Sequence, residues 1–409
     1  MKKIPFKATE ILLPETEKMS NWSVVACDQY TSEPEYWNRV KTTVADSPST
    51  FNLILPEIYL EDDDSEQKIE KIHNSMDEYI NNGIFKSYNN SLIYVERQLA
   101  NGFVRKGIIG ALDLDEYDYS VGSKSLIRAT EGTVTSRIPP RLKVRNNASL
   151  ELPHILILID DDKKTIVESI NKSELEKVYD FELMENGGRI EGYLINEPEK
   201  IISSMEILYD KISPDNPLLF AVGDGNHSLA TAKAYWENIK TSLSDDEKEL
   251  HPAKYALVEI GNLHDDSLIF EPIHRVLFNC DIDNFIKELS EFYDISYDCG
   301  KQSFEIVING NKKTIYINNP KSNLPVGSLQ LFIDEYLKNH SEVKIDYIHG
   351  ENVVNELSKN ENNIGFLLPP MDKSDLFSTV IADGALPRKT FSMGEACEKR
   401  FYLEARKIK

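Results

Sequence analysis

The chain has 409 residues, too many for one ordinary core, so two or three domains or one large elaborated α/β unit are expected. With 68 acidic against 46 basic residues its formal charge is −22, which argues against a general nucleic-acid or anionic-membrane binder. A hydrophobic content of 41% excludes a disordered chain, and the scattered Cys27, Cys280, Cys299 and Cys397 fit reduced thiols better than zinc or a disulfide framework.

The basic start Met1 to Phe6 leads into Lys7, Thr9 and Glu10 in place of an apolar signal core, and no apolar run is long enough to span a bilayer, so a cytoplasmic protein is expected. Trp22 to Tyr30 reads as a short strand ending in polar residues, where Asp28 is either a site residue or a turn aspartate. Ser32-Glu33-Pro34-Glu35 looks like a helix start, and Ser65 caps a helix with Ile69, Ile72, Met76 and Ile80 on its core face. Ser91 to Leu114 reads as a hairpin turning at Asn101-Gly102. The stretch Ile127 to Arg145 then concentrates Arg128, Arg137, Arg141, Lys143 and Arg145 in an acidic chain. It is either a charged surface strand or, with Glu131 beside Thr130 and Thr133, the base and cationic clamps of a phosphoryl-transfer site.

Pro153 to Ile159 reads as a buried strand ended by Asp160-Asp161-Asp162, with His154 at its start as readily structural as catalytic. A hairpin turning at Gly187-Gly188 and a helix over Pro198 to Tyr209 follow. The richest stretch is Leu218-Leu219-Phe220-Ala221-Val222-Gly223-Asp224-Gly225-Asn226-His227-Ser228-Leu229-Ala230, a buried strand running through a glycine loop into a helix. Gly223 and Gly225 permit positive φ and close backbone approach, and the helix N-terminus favours an anion such as phosphate. Asp224 can hold a metal or accept a proton, and His227 can donate to phosphate or exchange a proton near neutral pH. The plain alternative is a strand-to-helix turn whose Asp and Asn merely cap the helix.

Ala256 to Asn262 is a further strand, and Leu268 to Leu277 places His274-Arg275 in an apolar frame, either reaching an anionic ligand or forming a satisfied structural pair. Residues 281 to 345 read as a helix, a polar strand pair and another helix with a break near Asn318 to Pro325, followed by a core strand at Ile364 to Leu368. Ala382 to Thr390 is a Gly/Pro loop with a basic end.

Four of these places, in order, resemble a bacterial family known as domain of unknown function 1015, described as ParB/sulfiredoxin-like and related to free-serine kinases. Asp224-Gly225-Asn226-His227-Ser228 resembles its Asp-Gly-His-His-Arg motif, and Arg128-Ala129-Thr130-Glu131-Gly132-Thr133 falls at its His-Glu-Arg-Thr box. Phe270 to Leu277 resembles its His-Arg segment and Leu386-Pro387-Arg388-Lys389-Thr390 its Pro-Lys-Ser-Thr element. The resemblance implies Glu131 as general base, Asp224 as a hydroxyl- or Mg²⁺-facing carboxylate, and Asn226 with His227 as phosphate contacts. This chain departs from the pattern at Asn226, which replaces a histidine, at Ser228, which replaces the arginine, and at Ala129, which stands where the family has histidine. Arg137, Arg141 or Arg275 would have to supply the missing charge.

The expected fold is α+β, a ParB/sulfiredoxin-like nucleotide-binding core of mixed sheet and helices over residues 121 to 280, between α+β regions at 1 to 120 and 281 to 409. The expected activity is a phosphotransferase with an alcohol group as acceptor. It would use ATP or ADP with Mg²⁺ to phosphorylate free serine or a similar hydroxyl-bearing metabolite. Catalytic roles fall to Glu131, Asp224 and His227, metal binding to Asp224, and nucleotide binding to Gly223, Gly225, Asn226, Ser228, Arg137, Arg141 and Arg275. The alternative is a nucleotide-binding regulatory protein without turnover. No nucleic-acid or membrane partner is expected, and a homodimer is compatible with the sequence.

Overall fold

In the computed structural model, residues 4–409 are described, and the basic opening Met1 to Lys3 lies outside them. The protein is mixed α+β and divides into two compact units, Met1–Leu268 with Glu395–Lys409, and Ile269–Gly394. The second unit is thus an insertion between the body of the first and its final segment.

The first unit is built on an 11-stranded mixed sheet. The hairpin expected around Asn101-Gly102 is present: Phe85–Gln98 and Val104–Asp113 run antiparallel, Gly102 takes φ +88, and Asn101 Oδ1 accepts from the Phe103 N–H at 3.0 Å. A second hairpin, Glu176–Glu182 and Arg189–Ile195, turns at Gly187-Gly188 and lies beside Phe85–Gln98. On the other side of Val104–Asp113 come Tyr255–Asn262, Leu156–Ile159, Phe220–Asp224, Ile127–Ala129 and Tyr117–Asp118. The boundary expected near residue 120 therefore falls inside this sheet, because strands on both sides of it hydrogen-bond into one ladder. Such ladders join segments far apart in sequence, and local composition carries no trace of them.

Helices whose apolar stripes were legible pack into the same core, among them Ser65–Asn81 with Ile69, Ile72 and Met76 buried, and Asn226–Lys240 with Leu229, Ala232 and Trp236 buried. The final segment returns to the first unit: Phe401–Tyr402 pairs with Val24–Val25 and Arg406–Lys407 with Leu150–Glu151. Arg400, almost fully buried, sits between the equally buried carboxylates of Glu259 and Glu404.

The second unit holds a 7-stranded sheet in which Phe270–Phe278 lies between Ile364–Leu367 and Lys344–His349. The helix, strand pair and helix expected over 281 to 345 are Ile282–Phe292, Gln302–Ile308 with Asn311–Ile317, and Pro325–Asn339. Among the described residues no helix is long and apolar enough to cross a membrane.

Candidate functional site

The Phe220–Asp224 strand passes into the Asn226–Lys240 helix through Gly225 alone. Gly225 takes φ +79, and a Cβ there would stand 3.1 Å from Ile155 Cα, so both the left-handed turn and the close approach require glycine. The pairing register with Leu156–Ile159 shifts at Gly223, between Val222 and Asp224. The main-chain N–H groups of Asn226 and His227 precede the first internal bonds of the helix, which Ser228 and Leu229 make to Gly225 O. This is the geometry expected for an anion-binding corner.

The first and second sequence boxes meet here. Ile127–Ala129 runs parallel to the motif strand with Val222 opposite Ala129, and the Thr130 hydroxyl donates to Val222 O at 2.6 Å. Glu131 and Asp224 therefore each lie two residues beyond the last paired couple, on neighbouring strands leaving the sheet in the same direction. Leu156–Ile159 runs antiparallel to the motif strand, which brings His154, just before it, to the same edge. Cys27 and Asp28 follow the Val24–Val25 strand, and the paired segment adds Lys399 and Tyr402.

Asp224 Oδ1 accepts from the Gly225 N–H at 2.9 Å, and its Oδ2 lies 3.2 Å from Lys399 Nζ. An ammonium thus stands where a cation-binding carboxylate would need a metal, and the described residues contain no group of three or more His, Cys, Asp or Glu side chains that could hold one. Asp224 is the carboxylate here that would hold a Mg²⁺, an ion usually bound through one or two carboxylates together with substrate phosphates and water. Asn226 Oδ1 and Thr133 Oγ1 are both sealed from solvent without a hydrogen-bond partner among the described residues, which leaves unsatisfied polar atoms in both boxes.

His227 Nε2 accepts the Val134 N–H at 3.3 Å, so the ring is neutral in this arrangement. Burial, assisted by the nearby Arg141 and Arg137 guanidinium groups, pushes its pKa down from 6.5 to about 4. At neutral pH it can donate from its other nitrogen but brings no charge to a phosphate. Because the native state resists protonating this ring, the stability it contributes is fully present above about pH 6.5 and is lost as pH falls toward 4. Urea unfolding at pH 7 and 4.5 should show His227→Gln losing about 1–2 kcal/mol less than the parent, a figure discounted for solvent screening. Equal losses would remove His227 as the source.

Ser228 Oγ meets His154 Nε2 at 2.6 Å, so the residue that replaces the family's arginine is turned to an imidazole. Burial holds His154 below its ordinary pKa, against the opposing pull of Asp28, Asp224 and Glu57, and its ring edge packs on Tyr402. Tyr402 donates to Cys27 Sγ at 3.0 Å, and burial followed by Asp28 pushes the Cys27 thiol up to about 12, so it stays protonated.

The candidate clamps separate. Arg137 is exposed near His227, whereas Arg141 is ion-paired with Glu57 and also donates to Arg137 O at 2.7 Å. Arg275 belongs to the second unit, wholly buried, with its guanidinium donating to Ile273 O, Arg388 O and Gln330 Oε1. It holds the Leu386–Thr390 element against its own strand, so the last two boxes meet each other as the first two do. Lys399, Tyr402 and Glu57 escaped the sequence reading. The only local signal for the first two was a short basic-aromatic run, Lys399-Arg400-Phe401-Tyr402.

Residues 4–337 match the family described as "Protein of unknown function (DUF1015)", and the chain belongs to that family. No curated protein matches it. Among solved structures it is similar to a conserved hypothetical protein from Pyrococcus furiosus, at 12% identity and a TM-score of 0.36, covering 73% of this chain and 94% of that one. A free serine kinase mutant in complex with AMP gives 12% identity and a TM-score of 0.39, covering 73% of this chain and 90% of that one. SbnI with a C-terminal truncation, from Staphylococcus aureus, gives 8% identity and a TM-score of 0.37, with coverages of 70% and 83%.

Proposed function

We propose that the first unit is a nucleotide-dependent small-molecule kinase whose ParB/sulfiredoxin-like core transfers a phosphoryl group from ATP or ADP to a hydroxyl. One observation carries this reading: Glu131 and Asp224 leave neighbouring parallel strands beside the left-handed Gly225 turn and the open helix N-terminus. The N–H groups of Asn226 and His227 receive the phosphates, and Arg137 adds charge from the exposed side. Lys399, fixed by Asp224, faces charge developing on the transferred group. Glu131 takes the proton of the acceptor hydroxyl as its oxygen bonds to phosphorus and the bond to the nucleotide's bridging oxygen breaks. The Mg²⁺ expected from the family resemblance would be held by Asp224 with the nucleotide's phosphates and would neutralise their charge. Free serine is the acceptor that resemblance suggests.

Calorimetry with ATP and ADP, followed by chromatography of a mixture with hydroxyl-bearing metabolites, tests the proposal. Nucleotide binding together with a phosphorylated product supports it. Binding without product under any donor would instead identify a nucleotide-responsive regulator, the reading that the loss of the motif arginine at Ser228 favours. No nucleotide binding would end both.

A further inference from the structure

Behind the Ser228–His154 pair lies a cavity of about 150 Å³. Its wall is formed largely by Leu53, Leu55, Met76, Val144 and Ala148. The charged side chains in that wall are paired off among themselves: Glu57 with Arg141, and Glu151 with Arg145 and with Arg406. Neutralised charges and aliphatic side chains leave the cavity wall mainly apolar. Its conspicuous polar feature is the Ser228 hydroxyl on the His154 imidazole, whose Nδ1 is sealed from solvent with no hydrogen-bond partner among the described residues. A hollow of about 150 Å³ has room for a hydrocarbon group the size of benzene.

We infer that this cavity takes the hydrocarbon part of the acceptor, a metabolite that carries a branched or cyclic apolar group of about four to six carbons next to the hydroxyl it offers to Glu131. The inference rests on the kinase reading for the role of the hydroxyl and deepens it by naming a substrate class. Free serine, with one methylene beyond its Cα, leaves the hollow empty, whereas a larger hydrocarbon removes apolar surface from water on both sides. The departure from the family pattern at Ser228 acquires a physical sense: a hydroxyl leaves open the space that an arginine side chain would fill.

The test uses the intact protein without nucleotide and measures binding of ethanol, butan-1-ol, cyclohexanol and serine by ligand-observed NMR. Affinity should rise about fourfold per added methylene until the cavity is full, with cyclohexanol the tightest and serine the weakest. Ala148→Leu and Val144→Phe each fill the hollow, and each should weaken cyclohexanol at least tenfold while leaving nucleotide affinity unchanged. Cavity filling tends to stabilise, so a thermal midpoint at or above the parent's shows that a variant has folded. No dependence on hydrocarbon size in the parent protein, or a folded variant that binds cyclohexanol as tightly as the parent, overturns the inference. Alcohol binding that follows the expected order in a protein with no nucleotide affinity would sink the kinase reading and leave the cavity assignment standing.

Discussion

Glu131→Ala should lower phosphoryl transfer by about 10²–10⁴-fold while leaving nucleotide affinity within a factor of about three, because a general base acts on the proton in flight and not on the bound phosphates. Glu131 stands one strand away from Asp224, near the phosphate corner without belonging to it. The variant therefore separates chemistry from binding. Equal turnover in parent and variant would remove Glu131 from the mechanism.

Arg400→Met should cost the first unit about 3–5 kcal/mol, the range for removing one partner from a buried ion cluster. Arg400 Nε lies 3.0 Å from Glu259 Oε2, its Nη2 bonds Glu404, and all three side chains are at most 8% exposed. Methionine fills similar volume but strands two carboxylates out of water. The Tyr179 hydroxyl on Glu404 compensates only in part. Urea unfolding followed by tryptophan fluorescence reads the loss, and Arg400→Met combined with Glu404→Gln should recover part of it. A midpoint equal to the parent's would mean that the cluster contributes nothing net.

What the sequence disclosed follows from the range of the forces involved. The strand, turn and helix around Gly225 are set by neighbours within a few residues, and their outlines were readable from apolar runs and glycine placement. The Ser65–Asn81 and Pro198–Tyr209 helices were equally plain, since a helix advertises its buried face at regular spacing. His154 remained open between two readings because its partner, Ser228, is 74 positions away and no local pattern encodes that contact. Arg275 shows the opposite difficulty. Its apolar frame was real and left two readings open, a ligand contact or a satisfied structural residue, and in a strand with neighbours on both sides the same frame buries the guanidinium under main-chain carbonyls. Lys399 entered the site only through the pairing of Phe401–Tyr402 with Val24–Val25, a ladder joining distant parts of the chain.

That return pairing also dictates an order of assembly. The Trp22 indole donates to Leu403 O across 381 positions, and the whole inserted unit is synthesised before the second half of that contact exists. Until then the Val24–Val25 and Leu150–Glu151 edges lack these partners, Glu259 lacks Arg400, and Asp224 lacks Lys399. The 11-stranded sheet is complete by Asn262, so what waits for the final segment is the Val24–Val25 and Leu150–Glu151 pairings and the buried ion cluster around Arg400. The Gly225 turn and its helix need nothing from the final segment, but Asp224 receives its ammonium only when that segment returns.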